Sequence, residues 1–295
     1  MSRTRVLVLG DVVDDLLVRP LTAVTPASDT RAEIRHRPGG SGANVAAWLG
    51  ALGVDVTFVG RAGHNSAGEH VSTLQRHGVD PRIAVDRERM TASIVLVLDE
   101  QGERTMYVDR SANTGLTMRD IPDDVWRDVA VLHLTGYTFF DPATRPVALG
   151  VIAAARRRHV AVSVDPSSAA YLREAGADAF RDWVAGVDVL LPNSVEATVL
   201  TGLSDADAAA EQLTASCATV AVKLGGGGAV VRTSDGQQLQ AAAVLADVRD
   251  STGAGDGFAA GWIAAWVRGD DLAGRLAAGL EVSARAVTVL GGRPH

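Results

Sequence analysis

The chain has 295 residues, of which 47% are hydrophobic and 21% are charged, a composition typical of a folded globular protein. Its formal net charge of −7 argues against a nucleic-acid-binding surface, and no stretch approaches the roughly 20 apolar residues of a membrane span. Cys217 is the only cysteine, which excludes an intrachain disulfide framework and a cysteine-rich zinc site. We therefore expect a buried thiol in a cytoplasmic protein.

Short apolar runs bounded by Gly, Asp or Pro predict buried strands, and helix-like runs alternate with many of them. The predicted strands are Val6–Leu9, Val56–Val59, Ile94–Leu98, Val129–Leu134, Val160–Val164, Val187–Leu191, Val220–Leu224 and Ala229–Val231. The predicted helices are Gly42–Leu52, Gly68–Arg76, Pro142–Arg157, Val195–Leu200, Ala206–Thr214, Asp256–Val267 and Leu272–Val289. This alternation favours an α/β fold with a parallel sheet covered on both faces, and we interpret residues 1–295 as a single domain.

Two stretches, about residues 16–37 and 83–110, interrupt this alternation, because polar and β-branched residues alternate there with poor helical spacing. We predict that they pair as a small β-sheet lid. The polar pair Gln101-Gly102 supports this prediction, since it reads as a hairpin turn between two strand-like runs. Exposed strand edges on such a lid favour pairing with a second copy, and thus a homodimer.

The segment Pro38–Ala46 is a glycine-rich loop that leads into a predicted helix, and glycine lets a backbone approach a ligand closely. The pattern Gly40-x-Gly42, with Arg61 after the next strand, also allows a dinucleotide-binding fingerprint. We disfavour that alternative because no apolar strand leads into the loop and Val45 holds the third glycine position.

Asn193 and Glu196 follow the predicted strand Val187–Leu191 at positions i and i+3, at the strand end where α/β proteins bind ligands. Their hard oxygen atoms suit Mg²⁺-bound water or phosphate. The alternative is a helix start in which Glu196 caps backbone N–H groups.

Lys223 and four consecutive glycines, Gly225–Gly228, close the predicted strand Val220–Leu224. Four glycines cost chain entropy that a plain turn does not need, so a nucleotide could lie against this backbone. A flexible hairpin tip before Ala229–Val231 is the alternative. The glycine-lysine spacing of a P-loop kinase does not occur in the sequence.

Gly253, Ala254 and Gly255 stand directly before Asp256 at the start of a predicted helix. Successive N–H groups of such small residues can point into one concavity, and the helix dipole adds positive potential, so the segment predicts a phosphate site. We expect these amides to favour the charged form of Asp256, which could then accept a hydroxyl proton during phosphoryl transfer. The alternative is a tight loop or helix N-cap without a ligand.

Together, the Gly-Gly-Ser-Gly-Ala-Asn loop, the Asn-x-x-Glu segment and the run Asp250–Phe258 resemble, in order and spacing, the ribokinase-like (PfkB) carbohydrate kinases. The resemblance covers essentially the entire chain. It implies a three-layer α/β/α sandwich with a small β-sheet lid. It also implies a kinase that uses ATP and Mg²⁺ to phosphorylate a hydroxymethyl group of a sugar or sugar-acid acceptor.

The resemblance further implies site roles. The general base is Asp256, and the anion hole is Gly253, Ala254 and Gly255. The acceptor-binding residues are Asp15, Gly39, Gly40 and Asn44. The ATP-binding residues are Asn193, Lys223, Gly225, Gly226, Gly228, Gly253 and Gly255, with Asn193 and Glu196 implicated in positioning Mg²⁺. Positions of a monovalent cation such as K⁺ are Asp250, Thr252, Ala286, Val289 and Gly291.

The sequence departs from the family pattern at three places. Gly136 stands where ribokinase itself has a carboxylate that contacts the sugar, which argues against ribose as the acceptor. Leu280 stands at a position that can carry a polar residue near adenine. The sequence ends at His295, just where the cation loop should finish, so we expect a weakened cation dependence.

Variable residues shape the expected acceptor pocket: Ser41, Arg104, Arg110, Asn113 and Tyr137. Arg110 could pair with a substrate carboxylate, as in 2-keto-3-deoxygluconate-type sugar acids, or it could be a solvated lid charge. One alternative function is a nucleoside kinase of the same fold, which the aromatic content of 4% disfavours. Another is a catalytically silent sugar or nucleotide sensor.

Overall fold

The computed structural model describes residues 3–24, 26–98 and 104–294. Its strands are β1 (Arg5–Leu9), β2 (Val13–Pro20), β3 (Ala32–Gly39), β4 (Val56–Gly63), β5 (Val79–Asp86), β6 (Ala92–Leu98), β7 (Arg104–Asp109), β8 (Val129–Thr135), β9 (Ala161–Asp165), β10 (Val187–Leu190), β11 (Cys217–Lys223), β12 (Ala229–Thr233) and β13 (Gln238–Ala241). Its helices are α1 (Ser41–Ala51), α2 (Ala67–Arg76), α3 (Tyr137–Phe140), α4 (Arg145–Arg157), α5 (Ala169–Ala175), α6 (Ala177–Val184), α7 (Ser194–Thr201), α8 (Ala206–Leu213), α9 (Ala254–Arg268) and α10 (Leu272–Ala286). Short 3₁₀ turns lie at Ser111–Gly115, Met118–Asp120, Asp123–Trp126 and Gly225–Gly227.

The large sheet has the strand order β13-β12-β11-β10-β9-β8-β1-β4-β5. Every neighbouring pair from β11 to β5 is parallel, whereas β12 and β13 add to one edge in antiparallel fashion. The predicted α/β fold with a mostly parallel sheet is confirmed. The carboxyl ends of the parallel strands meet at one edge of the sheet, which is where ligands bind in this class of fold.

Helices cover both faces of the large sheet, as the alternation of buried residues along β1 requires. Leu7 and Leu9 pack into one hydrophobic core with residues of α4 to α8. Val6 and Val8 pack into a second core with residues of α1, α2, α9 and α10. Since successive strand residues point to opposite faces, the two cores lie on opposite sides of the sheet and the architecture is a three-layer α/β/α sandwich.

A second, smaller sheet has the order β3-β2-β6-β7. Strands β2 and β6 pair in parallel, and the other two pairs are antiparallel. The predicted lid segment 83–110 is wrong at its start, because Ile83–Asp86 belong to β5 and pair with β4 of the large sheet. The error arose because β5 is a half-buried edge strand whose polar and apolar residues alternate as lid strands do. The predicted hairpin turn Gln101-Gly102 lies outside the described residues.

The predicted helices differ from the observed ones mainly at their ends. The helix predicted from Pro142 begins at Arg145, since Asp141 Oδ1 accepts a hydrogen bond from Ala143 N and holds that segment in a turn. The helix predicted to end at Val289 ends at Ala286, and Thr288 Oγ1 donates to Arg285 O there. None of the helices in the described ranges is long and apolar enough to cross a membrane.

Candidate active site

Asp256 and most of the predicted acceptor-binding residues line one cavity of about 530 Å³ beneath the small sheet. The residues that line it include Asp15, Gly40, Ser41, Asn44, Arg110, Asn113, Tyr137, Asp250, Thr252, Asp256 and Gly291. Its remaining wall comes largely from apolar side chains of β2, β6 and β7, namely Val13, Leu17, Ile94, Leu96, Met106 and Val108. The cavity therefore has a polar floor and an apolar roof.

Asp256 lies in the first turn of α9 and its carboxylate is held by two side chains of α1. Ser41 Oγ donates to Asp256 Oδ1 at 2.6 Å, and Asn44 Nδ2 donates to Asp256 Oδ2 at 2.9 Å. Both donors come from the helix that follows the first glycine loop. The two glycine motifs of the sequence are thus brought together, and Asp256 is the point at which they meet.

Our expectation that backbone amides keep Asp256 ionised is wrong in direction. Burial raises the pKa of Asp256 to about 7, and the negative charges of Asp165 and Asp11 add to that rise. The hydrogen bonds from Ser41 and Asn44 lower it, but they do not outweigh burial. A carboxylate with a pKa near neutrality is well matched to accepting a proton from a hydroxyl group.

The start of α9 offers backbone N–H groups that no side chain of the described residues caps. The N-cap residue Gly253 has a φ of 78°, and a Cβ at this position would lie 2.6 Å from Gly292 Cα. Lys223 Nζ lies 3.2 Å from the place that a Cβ on Gly255 would occupy. An ammonium group therefore lies close to the first turn of an uncapped helix, an arrangement suited to a phosphate.

The first glycine loop differs, because its helix N-terminus is already filled by a carboxylate. Ser41 N and Gly42 N donate to the two oxygens of Asp11, each at 3.1 Å. Thr135 Oγ1 also donates to Asp11, at 3.2 Å. A dinucleotide pyrophosphate would need these same amides, so the alternative based on Gly40-x-Gly42 does not fit the structure. Asp11 was not among the predicted site residues.

Asp15 lies over the same loop, with its carboxylate packed against Gly39. A Cβ on Gly39 would be 2.1 Å from Asp15 Oδ2, so glycine is required for this close approach. Burial raises the pKa of Asp15 to about 7, the charge of Asp11 adds to the rise, and Arg293 opposes it. Asp15, Gly40, Asn44 and Asp256 all face the cavity.

Arg110 and Tyr137 also line the cavity and contact each other. The Arg110 guanidinium lies over the Tyr137 ring, 5.0 Å from its centroid, and its Nη2 donates to Tyr137 O at 3.2 Å. No carboxylate of the described residues forms an ion pair with Arg110. The Asn113 side-chain amide accepts a hydrogen bond from Val12 N and donates one to Val12 O, so it fixes the backbone there. The side chain of Arg104 lies outside the described part of the structure.

Gly136, one of the departures noted in the sequence, sits where no side chain fits. A Cβ at this position would lie 2.0 Å from Pro166 O. The other departure that the structure describes, Leu280, is a buried core residue. The segments that follow β8 and β9 therefore pack too closely to leave room for a carboxylate side chain at this position.

Asn193, Glu196 and Lys223 form a second polar group next to the first. Asn193 Oδ1 accepts from Glu196 N at 2.9 Å and Glu196 Oε2 accepts from Asn193 N at 2.8 Å, which is the capping arrangement that we considered as an alternative to a ligand site. Lys223 Nζ pairs with Asp165 Oδ2 at 2.5 Å. Burial and the charge of Asp165 raise the pKa of Glu196 to about 7.

The glycine run Gly225–Gly228 connects two antiparallel strands, β11 and β12. Leu224 N donates to Gly228 O at 2.8 Å, and a Cβ on Gly228 would lie 1.9 Å from Ala241 O. The run is therefore a hairpin connection, as the alternative interpretation held. It begins two residues after Lys223, whose ammonium lies near Gly255, so a ligand at the start of α9 would lie within reach of the same hairpin.

A family model for pfkB family carbohydrate kinases matches residues 3–294. The chain belongs to the PfkB family. An ATP-dependent ribose-1-phosphate kinase from Halopiger xanaduensis is 32% identical over 274 residues, which cover 91% of this chain and 86% of that protein. A fructokinase from Escherichia coli is 33% identical over 273 residues, 87% of this chain and 82% of that protein. The crystal structure of a putative ribokinase II from Escherichia coli, in complex with ATP and Mg²⁺, has a TM-score of 0.85 at 22% identity over 98% of this chain and 94% of that one.

This PfkB protein is accordingly a sugar kinase, a phosphotransferase with an alcohol group as acceptor. The predicted family, ribokinase-like fold and enzyme class are confirmed. The roles of individual residues stay predictions.

The predicted cation positions of the PfkB kinase lie on two loops that Asp250 joins. Asp250 Oδ1 accepts from Thr252 Oγ1 at 2.7 Å, and Asp250 Oδ2 accepts from Gly291 N at 3.0 Å. Ala286 and Val289 lie on the second of these loops or at the helix end that leads into it. The carboxylate therefore fixes the distance between two stretches whose backbone carbonyls could face one ion.

Three residues important to the geometry of this PfkB site were missed in the sequence. Asp11 and Asp165 each stand at or just after the end of a buried strand, which is a signal that could have found both. Arg293 carries no such signal, because it lies after the last predicted helix in a tail of small residues. It is 6% exposed and reaches back to the first glycine loop.

Proposed function

We propose that this kinase transfers the γ-phosphate of ATP to a hydroxymethyl group of a sugar or sugar-acid acceptor, with Asp256 as general base. The observation that carries the proposal is the pairing of an uncapped helix N-terminus with a carboxylate in its first turn. Gly253, Ala254 and Gly255 supply backbone donors for the phosphoryl oxygens, of which Ala254 N bonds Ser251 O at 3.3 Å in this structure, and Asp256 accepts the hydroxyl proton. The pKa of Asp256 near 7 supports this role.

Asp15 and Asn44, with the backbone of Gly39 and Gly40, bind the hydroxyl groups of the acceptor in this proposal. Asp15 presents a carboxylate to the cavity. Asn44 donates one amide hydrogen to Asp256 at 2.9 Å and keeps a second N–H for an acceptor hydroxyl. The acceptor would therefore be oriented by the same side chain that holds the base.

ATP would lie with its phosphates toward the start of α9 and Lys223 and with its nucleoside along Gly225, Gly226 and Gly228. Lys223 suits a phosphate because its ammonium is next to Gly255, and the charges of Asp165 and Glu196 outweigh burial so that the pKa of Lys223 is raised. A structure with the same fold was crystallised with ATP and Mg²⁺, which supports these two ligands for this kinase.

The donor set near Lys223 fits a hydrated Mg²⁺ ion. Asn193 and Glu196 supply amide and carboxylate oxygens, and the raised pKa of Glu196 marks a carboxylate whose charge a cation would stabilise. Mg²⁺ bound to the ATP phosphates would neutralise charge on the phosphoryl oxygens. A monovalent cation such as K⁺ would be held by Asp250, Thr252, Ala286, Val289 and Gly291, mainly through backbone carbonyls.

Arg110 favours an acceptor that carries an anionic group. Its guanidinium faces the cavity and is bonded to a backbone carbonyl and an aromatic ring, so its charge is available to a carboxylate or phosphate. The named acceptor of the ribose-1-phosphate kinase relative is itself anionic. A nucleoside acceptor is the second candidate, because Tyr137 and Tyr171 both line the cavity and offer rings to a base.

We also propose that the kinase is one domain, works in the cytoplasm and forms a homodimer through the small sheet. Cys217 is buried and burial raises the pKa of its thiol to about 11, so it is unreactive and needs no oxidising partner.

The small sheet supports dimerisation because it carries apolar side chains on both faces, as its pairing registers show.

An ADP-release assay with Mg·ATP tests the catalytic proposal. The acceptors would be pentoses, hexoses, a sugar phosphate, keto-deoxy sugar acids and nucleosides, each with and without K⁺. We expect the highest kcat/KM with an anionic sugar. The Asp256→Asn variant should lose activity by roughly a hundredfold or more, because it removes the proton acceptor.

Asp235→Asn is the matched control, since it makes the same change at an exposed turn between β12 and β13. Full activity of Asp256→Asn would show that Asp256 is not the base. A preference for nucleosides would favour the second candidate. ATP binding without turnover of any acceptor would favour the silent sensor over a kinase.

A further inference from the structure

A continuous path of hydrogen bonds runs from the small sheet to Asp256 through the C-terminal tail. His70 Nε2 bonds Asp14 Oδ1 at 2.8 Å, and Arg293 Nη2 bonds His70 Nδ1 at 3.3 Å. Arg293 Nε then donates to Asn44 Oδ1 at 3.3 Å, and Asn44 Nδ2 donates to Asp256 Oδ2 at 2.9 Å. The path joins β2, α2, the tail, α1 and α9.

Arg293 is the centre of this path and is anchored by the backbone around it. Its Nη2 also donates to Gly39 O at 2.8 Å, so the same guanidinium holds the first glycine loop. Trp48 Nε1 donates to Gly292 O at 2.9 Å and fixes the tail directly before Arg293. A Cβ on Gly292 would lie 2.2 Å from Asn44 Nδ2, so the tail packs tightly on that amide.

The chemistry of a guanidinium decides how its neighbours are oriented. Arginine only donates hydrogen bonds, so Asn44 must turn its carbonyl oxygen toward Arg293 and its NH₂ group toward Asp256. By the same rule His70 Nδ1 accepts, and His70 Nε2 carries the proton that is donated to Asp14. Without Arg293 the Asn44 amide could turn over and present its oxygen to the carboxylate.

Charge adds a second reason for an arginine at this place. The negative charges of Asp11, Asp14 and Asp15 all favour the charged form of Arg293. Within the described ranges, Arg293 forms no ion pair with a carboxylate. Its Nη1 is buried and has no hydrogen-bond partner there. A buried guanidinium that has no carboxylate partner and one unsatisfied Nη1 group is costly, which favours a functional reason for it.

We infer that Arg293 is a positioning residue for catalysis, which fixes the Asn44 amide so that it donates to Asp256 while it ties the acceptor loop at Gly39 to the same group. The inference rests on the proposed function, because it assumes that Asp256 is the base. Arg293 does not touch the reacting atoms in this scheme and acts through Asn44.

A double-mutant cycle between Arg293 and Asn44 tests the inference. Arg293→Lys keeps the positive charge but loses the fork that bonds Asn44 and Gly39 together. We expect its kcat to fall roughly tenfold, the loss typical of one hydrogen bond that supports a charged group, with the KM for ATP unchanged. In the Asn44→Ala background the same substitution should change kcat by less than about twofold, since the group it acts through is gone.

Arg285→Lys is the matched control, because the Arg285 guanidinium lies over the Trp48 ring, 5.6 Å from its centroid, and belongs to the same region of the molecule. It should leave kcat within about twofold of the parent. Melting temperatures identify variants that fail to fold, and Arg293→Gln replaces Arg293→Lys in the cycle should the lysine variant unfold.

Equal losses of kcat on Arg293→Lys in the parent and in the Asn44→Ala background would overturn the inference, since a merely structural role adds independently of Asn44. An unchanged kcat in Arg293→Lys would overturn it as well. Failure of the proposed function would be seen separately, as full activity of Asp256→Asn.

Discussion

The pKa of Asp256 is raised by burial and lowered by the two side chains that donate hydrogen bonds to its carboxylate. Burial and the nearby Asp165 and Asp11 push its pKa to about 7, whereas Ser41 and Asn44 pull it down. Ser41 donates at 2.6 Å and therefore affects the protonation state of Asp256, the proposed base. Asp15 and Glu196 have pKa values raised to about 7 by the same primary cause, burial.

Replacing Ser41 with alanine should shift the pH dependence of the kinase toward higher pH. The hydroxyl stabilises the charged form of Asp256, so its removal raises the pKa above the present value of about 7. Activity requires the unprotonated carboxylate and falls as pH drops through that pKa. The acid limb of kcat/KM should therefore move upward, with the loss greatest near about pH 6 and recovered near about pH 9.

Ser168→Ala is the control for this pH profile, because Ser168 lines the same cavity but accepts a hydrogen bond from Tyr171 N at 3.4 Å. Its acid limb should coincide with that of the parent. A Ser41→Ala profile that is lowered equally at every pH would mean that Ser41 binds the acceptor and does not tune the base.

The position of helix α9 is fixed by close packing of its glycine residues against α10. A Cβ on Gly261 would lie 2.2 Å from Ala278 O, so the two helices touch backbone to backbone at this point. A Cβ on Gly257, one turn earlier, would lie 3.0 Å from Val282 O, so the approach of the two helices is less tight there. The first turn of α9 carries Asp256, so the position of the proposed base depends on this packing.

Gly261→Ala should therefore weaken both stability and activity. The added methyl group forces α9 away from α10 and should cost roughly 1–3 kcal/mol of unfolding free energy, the range of overpacked cores. Because Asp256 moves with α9, kcat should fall as well. Denaturant unfolding measured beside the ADP-release assay checks both expectations.

Gly68→Ala makes the same change in α2, where a Cβ would meet nothing within 4 Å. It should stabilise the protein by about 0.5–1 kcal/mol, because alanine forms helix more readily than glycine. A Gly261→Ala variant as stable as Gly68→Ala would show that α9 and α10 can separate without cost.

At the scale of helices and strands, the sequence predicted the elements that have a regular pattern of apolar residues. Apolar periodicity indicates the buried strands and the longer helices. Both glycine motifs indicate places where the backbone packs closely against another group. The short helices α5 and α6 were not predicted, since each spans only two turns and is separated from the other by Gly176 alone. Strand β13 at the sheet edge was missed because it has few buried residues.

Contacts between distant segments could not be read from local pattern. The two glycine loops look alike in sequence, yet Asp11 fills the first and no described side chain caps the second. Arg293 and Asn44 are separated by 249 positions, and only the fold brings their side chains together. A single sequence carries no signal for such a pair.

At the scale of the whole molecule, the small sheet exposes apolar side chains on the face that points away from the cavity. Strand pairing places Leu16, Val95 and Tyr107 in one row, on the face opposite Asp15, Ile94 and Val108, which line the cavity. Tyr107 is 62% exposed and Ile34 is 56% exposed. An exposed apolar face of this kind indicates an interaction surface, and the cavity covers only one of the two faces of the sheet.

A second copy of the chain is the partner that we propose for the outer face, and we expect sedimentation velocity to give twice the mass of one chain. Val95→Lys places a charge in the middle of that face and should yield monomers, because the ammonium would be desolvated at the interface. Leu245→Lys is the control, since Leu245 is 99% exposed and should leave the dimer intact. A parent protein that stays monomeric at all concentrations would contradict the dimer. A Val95→Lys dimer would place the interface elsewhere on the molecule.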